Sequence, residues 1–299
     1  MEHYWPCRTW LISTVENVKF AEKQRDSDAD AIILELEAGT LNKATARVTA
    51  AEMLRTYDYG KKYRVVRINP MTSEHAVPDL EEVIPARPDA ILMTKVYQPS
   101  EVEAADREIT RIEKEHGLPE GKIEIAVMIE TANAVFEVRQ LAWASKRVKA
   151  LCFGGGDFGV DVHTKMTRGS GVPIMPGIEM LWARSTVVAG ARAAGVCPID
   201  VPSAKIGDDP NLRVHTWESR ALGFDGMIVL SPTSIKTVHE GYTPTPIQVK
   251  DAQAVVDAYE ASVASGAGTV GVGGQMVSDT VVHGFEDELR RYDLSQRGR

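Results

Sequence analysis

Apolar positions along the chain alternate between two patterns. Short apolar runs with the period of a strand are separated by segments whose apolar positions return every three or four residues, the period of a helix. The first run is Thr9-Trp10-Leu11-Ile12, followed by helical spacing over about Val15 to Asp26. Ala31 to Leu34 is the second and ends in Glu35-Leu36-Glu37. Asn42 stands where a helix reaching about Tyr57 needs a cap. Tyr63 to Ile68 is the third run and carries Arg67, Asn69 and Pro70 at its end. Ala90 to Met93 is the fourth and ends in Thr94 and Lys95; Pro99-Ser100 then opens a long charged helix to about His116.

The stretch from Lys122 to Asp161 organises the rest. Ile123 to Ile129 reads as a buried strand that ends in Glu130. Val135, Val138, Leu141 and Ala142 fall on one face of a following helix, and Val148 to Phe153 is the next strand. It opens into Gly154-Gly155-Gly156 and a second carboxylate, Asp157. Strand, helix, strand makes a βαβ unit, whose right-handed crossover leaves the two strands parallel. Both acids therefore leave the sheet at its carboxyl edge, where α/β proteins bind ligands.

The alternation continues. A helix over Met180 to Ala194 stops at Gly195, and Val196 to Ile199 is a seventh strand ending in Asp200. Met227 to Leu230 is the eighth, ending in Ser231-Pro232. Eight strand–helix repeats fit a (β/α)8 TIM barrel better than an open sheet. The barrel spans 1–242, and 243–299 is a helical extension of the same domain. Thr243-Pro244-Thr245-Pro246 breaks the chain before a helix over Ile247 to Ser265, a glycine-rich piece from Gly266 to Gly274, and a polar helix from about Asp279 to Tyr292. The extension has the makings of a lid or an oligomer arm, and Ser295 to Arg299 reads as disordered.

Composition narrows this little. With 299 residues, 43% hydrophobic and 25% charged, the chain is an ordinary globular one. Its net charge of −8 argues against nucleic acid. No apolar run approaches the ~20 residues of a membrane helix, and the first residues carry no secretory pattern. The three cysteines, Cys7, Cys152 and Cys197, form no paired motif, so a reducing cytoplasmic setting is the expectation.

The strand ends collect Glu35, Glu37, Arg67, Lys95, Glu130, Asp157 and Asp200. Glu130 and Asp157 suit a hard divalent cation, Mg2+ with Mn2+ as a substitute, which takes oxygen ligands. Arg67 suits bidentate capture of a substrate carboxylate; its alternative is an ion pair with Glu35 or Glu37. Asn69 beside it and the open backbone of Gly155 and Gly156 complete a substrate cradle. Lys95 is a candidate to stabilise an enolate or to form a Schiff base, a second mechanism that a metal site makes redundant, and Glu37 or a metal-bound water is the candidate for proton transfer. Asp200 reads as structural, holding Arg67 or a glycine turn.

In order and spacing, a series of segments resembles the citrate lyase β-subunit-like family, which includes malyl-CoA and citramalyl-CoA lyases among the metal-dependent pyruvate aldolases. The segments are Arg8-Thr9-Trp10-Leu11, Ala29 to Ala38, Val66-Arg67-Ile68-Asn69-Pro70, Thr94-Lys95-Val96, Ile129-Glu130-Thr131-Ala132, Gly154 to Asp157, Gly190 to Gly195 with Ile199-Asp200, Leu222 to Met227, and Tyr242 to Pro246. The resemblance covers nearly the whole chain. It implies a TIM barrel, Mg2+ on Glu130 and Asp157, and the oxo-acid end of the substrate on Arg67. It implies a lyase acting between an acyl-CoA thioester and a 2-oxo acid such as glyoxylate, pyruvate or oxaloacetate, assembled as a homotrimer or hexamer with its C-terminal segment over a neighbour's site.

The sequence departs from the family pattern at several places. The family's valine-proline-glycine after the first strand is Ser13-Thr14-Val15, in a loop near the CoA site of relatives. The last acid of its aspartate-leucine-glutamate-aspartate run is Ala38, and the first is Glu35. Its histidine-proline is Ser231-Pro232. Its C-terminal lid aspartate falls one place later, at Asp279, and one place on a helix turns a side chain by about 100°. The altered first loop leaves open a metal-dependent aldolase acting on a free hydroxy-oxo acid without CoA; a non-catalytic barrel is the remaining alternative. Asp279 is read as a capping or first-turn residue of the last helix.

Overall fold

The computed structural model describes residues 7–164, 177–200 and 210–297. Eight strands, β1 (Thr9–Thr14), β2 (Ala31–Glu35), β3 (Tyr63–Arg67), β4 (Ala90–Met93), β5 (Glu124–Ile129), β6 (Val148–Phe153), β7 (Cys197–Asp200) and β8 (Gly226–Val229), close in sequence order into a barrel. Every pairing is parallel, and β8 closes on β1. The (β/α)8 expectation is met. The strands are apolar along most of their length because the barrel interior covers one face and helices the other.

The helices between them are α1 (Val18–Arg25), α2 (Lys43–Thr56), α3 (Ala76–Val83), α4 (Pro99–Glu115), α5 (Ala132–Phe136), α6 (Val138–Trp143), α7 (Gly155–Asp161), α8 (Ile178–Ala194), α9 (Pro210–Leu222) and α10 (Ile235–Tyr242). Their ends follow the local chemistry. Asn42 accepts a hydrogen bond from the Thr45 amide, as a cap must. Gly195 takes φ of 69° to end α8. The single helix expected after Glu130 is two, α5 and α6, broken at Glu137 (φ −96°, ψ 9°), although Val135, Val138, Leu141 and Ala142 are all buried as their spacing requires.

The interior of the barrel is filled by alternate residues of each strand. Ile33, Val65, Leu92, Met128, Cys152 and Ile199 belong to one buried cluster. Successive side chains of a strand point to opposite faces. The residue two places beyond each of the first five therefore also turns inward, and these are Glu35, Arg67, Thr94, Glu130 and Gly154. The register sets them side by side: Glu35 pairs with Arg67, and Ile129 with Phe153.

The chain divides into two compact units, 1–238 and 239–299. The second has α11 (Pro246–Ala264), an antiparallel hairpin of β9 (Thr269–Val272) and β10 (Gln275–Ser278), and α12 (Asp279–Arg297). Its own core holds Val256, Val277 and Val282, with Val270, Val272, Phe285 and Leu289 against them. The glycine-rich piece is thus a hairpin rather than a loop. Gly273 and Gly274 take φ of 58° and 82°, which a tight two-residue turn between twisted strands requires. The last helix also runs past Tyr292, so of the segment expected to be disordered 295–297 is helical, and 298–299 lie outside the described residues. No helix among the described residues is long and apolar enough to cross a membrane.

Candidate active site

Glu130 ends β5 and is 2% exposed. Its Oε1 accepts two hydrogen bonds, from Thr94 Oγ1 at 2.6 Å and from the Lys95 amide at 2.6 Å. Lys95 reaches that position with φ of 49°, a left-handed backbone uncommon for a residue with a Cβ. On the other side stands Gly154. A Cβ built there would lie 2.5 Å from Glu130 Cβ and 2.6 Å from its Oε2, so only glycine leaves the carboxylate room. Burial pushes the Glu130 carboxyl above its ordinary value, opposed by the bonds from Thr94 and Lys95 and reinforced by the charge of Asp157.

Arg67 ends β3 with its side chain 12% exposed. Its Nη2 is paired with Glu35 Oε2 and lies 3.4 Å from Glu37 Oε2. Its Nε is buried with no hydrogen-bond partner among the described residues. Glu35 is fixed in turn by the amides of Glu37 and Ala38. Burial lifts the Glu35 carboxyl above its usual value against the pull of Arg67, and the carboxylates around Arg67 outweigh burial and raise the guanidinium further. Lys95 Nζ sits 2.7 Å from Glu37 Oε1, and that hydrogen bond raises its ammonium. Glu37 therefore divides its two oxygens between Lys95 and Arg67.

The other candidate residues sit in varied surroundings. The amine expected at an enolate is held by Glu37, and the group expected to move a proton, Glu37, already faces two cations. Asn69 is buried, with its side-chain amide donating to Leu36 O at 3.1 Å and to Asp79 Oδ2 at 2.7 Å, so it braces β3 against β2 and α3 instead of facing substrate. Asp200 does not hold Arg67. It is one place out of step with the inward Ile199, faces the helices, and pairs with Arg184 of α8. Asp157 is an exposed residue of the first turn of α7, not a strand end, yet its charge acts on Glu130 and on Lys95. Gly155 and Gly156 open that same turn, where backbone amides have no intrahelical partner. Asp279 lies in the first turn of α12, in the second unit. Thr94 and Gly154 were missed as site residues; the inward alternation of β4 and β6 is the signal that finds them.

Among the described residues no three His, Cys, Asp or Glu side chains gather into a ready-made metal cluster. The pair Glu130 and Asp157 still fits Mg2+, which keeps several waters and needs only one or two carboxylates. The observation that fits best is that Oε1 of Glu130 takes both hydrogen bonds, from Thr94 and the Lys95 amide, which leaves Oε2, packed against Gly154, without one among the described residues.

Comparisons with known proteins give the family. Residues 8–232 match the HpcH/HpaI aldolase/citrate lyase family. The chain is 32% identical over 256 residues to the citrate lyase subunit beta of Leuconostoc mesenteroides subsp. cremoris, covering 85% of this chain and 82% of that one. It is 30% identical over 306 residues to an L-malyl-CoA/beta-methylmalyl-CoA lyase of Cereibacter sphaeroides, covering 97% and 95%. Two solved structures share the fold. A citrate lyase from Burkholderia xenovorans LB400 has a TM-score of 0.82 at 19% identity, over 97% of this chain and 92% of that one. The protein CitE of Mycobacterium tuberculosis, solved in complex with magnesium, acetoacetate and coenzyme A, has a TM-score of 0.77 at 23% identity, over 96% and 98%.

Proposed function

The chain belongs to the HpcH/HpaI aldolase/citrate lyase family and is a carbon–carbon lyase of it, and from that premise we propose that it works with Mg2+ on an acyl-CoA thioester and a 2-oxo acid. The observation that carries the metal reading is the Glu130 carboxylate, buried, doubly hydrogen-bonded on one oxygen and cradled by Gly154 on the other side. Glu130 and Asp157 are the residues that would hold the ion. When bound, Mg2+ would supply the Lewis acidity that draws electron density out of a 2-oxo group.

The protein's own groups do the rest. Arg67, anchored through Glu35, captures the oxo-acid carboxylate and fixes its orientation. Thr94 and the Lys95 amide hold Glu130 still. The amides of Gly155 and Gly156 add donors at the mouth of the barrel. That the Mycobacterium tuberculosis protein was solved with magnesium and coenzyme A supports both ligand classes. Exposed rings at Phe136, Trp143 and Trp182 support self-association, since apolar patches of this kind mark interaction faces, and a homotrimer or hexamer is the assembly proposed. Light scattering behind size exclusion would give a monomer if that part is wrong.

A second reading, an aldolase on a free hydroxy-oxo acid, draws on Ser13-Thr14, where β1 runs on as strand and the family has valine-proline-glycine. One assay separates the two. Purified protein with Mg2+ is given 3-carboxy-3-hydroxyacyl-CoA thioesters and, separately, free 4-hydroxy-2-oxo acids, and the release of the 2-oxo acid, glyoxylate, pyruvate or oxaloacetate, is followed. Release from thioesters alone supports the first reading; release from free acids alone replaces it with the second.

A further inference from the structure

Lys95 links the two halves of the site through one strained residue. Its amide serves Glu130 and its ammonium serves Glu37, an arrangement that its φ of 49° makes possible. Around Arg67 the two carboxylates are held differently. Glu35 is close and is fixed by the amides of Glu37 and Ala38. Glu37 is further away, 3.4 Å from Nη2, and is bound more closely by Lys95 at 2.7 Å. Arg67 also keeps a buried Nε with no hydrogen bond among the described residues. The guanidinium thus has one firm carboxylate, one loose one and a spare donor.

We propose that Glu37 is a placeholder for the substrate carboxylate, and that Lys95 is the positioning residue that receives it. On the proposed function, an incoming 2-oxo acid brings one more carboxylate to Arg67. It competes with the loose Glu37 alone, because Glu35 is fixed from behind. The displaced Glu37 stays neutralised, since its other oxygen already lies on Lys95. No buried charge is left unpaired at any point of the exchange, and an unpaired buried charge is what would otherwise make binding costly. Without Lys95, Glu37 has only Arg67 to pair with and closes on it, and the substrate then competes against a tightly bound internal carboxylate. Specificity follows from the same geometry: the site selects an anion that can replace a carboxylate on Arg67, and rejects a 2-oxo amide or ester of the same size.

The test uses binding rather than turnover, on the full chain. Glyoxylate affinity is measured by calorimetry with Mg2+ present, and Mn2+ affinity by electron paramagnetic resonance, for wild type, Lys95→Met, Lys95→Arg, Glu37→Gln and the double variant Lys95→Met/Glu37→Gln. Lys95→Met is expected to lose tenfold or more in glyoxylate affinity, and the double variant to recover most of that loss, because the competitor is gone. Lys95→Arg should stay within a few-fold of wild type. Glu37→Gln, which leaves the backbone at Lys95 untouched, should bind glyoxylate as tightly as wild type or tighter. Mn2+ affinity should stay within a few-fold of wild type, because the amide on Glu130 survives every substitution and only a neighbouring charge changes. A double variant no better than Lys95→Met overturns the placeholder, as does a tenfold loss in Glu37→Gln. If wild type binds Mn2+ but no glyoxylate, the functional reading fails and takes this inference with it; if wild type binds both and recovery fails, only this inference falls.

Discussion

Replacing Gly154 by alanine tests the cradle of Glu130 with a single methyl group. The added Cβ would stand 2.5 Å from Glu130 Cβ, 2.6 Å from Oε2 and 3.1 Å from Met128 Cγ. Carbon atoms pack at about 3.5–4.0 Å, so the glutamate must retreat by about 1 Å. It has little room, being 2% exposed in a barrel whose interior positions are filled. Overpacking of this kind costs about 1–3 kcal/mol. A retreat of that size also stretches the two 2.6 Å bonds from Thr94 and Lys95, and hydrogen bonds to charged groups contribute about 1.5–3 kcal/mol each. Partial loss of both brings the expected destabilisation to roughly 2–4 kcal/mol. Misplacing a ligating group by ~1 Å should lower turnover by about 10²-fold. Gly156 provides the control, since a Cβ there meets nothing within 4 Å. Urea unfolding gives the stability, electron paramagnetic resonance the Mn2+ affinity. A Gly154→Ala protein with wild-type stability and wild-type Mn2+ affinity would refute the cradle.

Arg67→Lys keeps the charge and loses the planar fork, so pyruvate or glyoxylate affinity by calorimetry should fall by about tenfold or more; unchanged affinity excludes Arg67 as the carboxylate clamp. The raised Glu130 carboxyl has a defined sign. Its folded value lies above the ordinary 4.5, so between the two values the folded state holds the extra proton and stability falls as pH rises. In metal-free protein at neutral pH, Glu130→Gln should therefore raise Tm, while stabilisation by added Mg2+ disappears; a lower Tm at neutral pH contradicts the shift. Asp279→Ala removes an acid from the first turn of α12 and should cost about 0.3–1 kcal/mol with single-turnover cleavage unchanged; a fall of about 10²-fold or more would make it an acid or base of the reaction instead.

The barrel was legible because every strand is covered on both faces and so reads as an apolar run between helical periods. The inner ring of the site was legible too, since Glu35, Arg67 and Glu130 continue the alternation of Ile33, Val65 and Met128. The same alternation places Asp200 outside, beside Arg184, and finds Thr94 and Gly154. Lys95 was a different matter. A lysine carries no local signal for a positive φ, so neither its amide on Glu130 nor its pairing with Glu37 could be read from spacing. The hairpin in the second unit carried its turn in Gly273-Gly274, but each strand presents only one or two valines inward, too few to stand out as a run. The end of α12 was underestimated for a similar reason, because the residues after Leu294 carry no apolar period.

On the proposed function, Glu130 and Asp157 hold the divalent ion on which carbon–carbon cleavage depends. The Mg2+ dependence of thioester cleavage is measured in wild type, Glu130→Gln and Asp157→Asn, with circular dichroism to establish that all three are folded. Wild type should lose activity on chelation and regain it with Mg2+, and each variant should be folded and inactive at every Mg2+ concentration. Wild-type turnover in both variants, or full activity of the chelated wild-type protein, would contradict it.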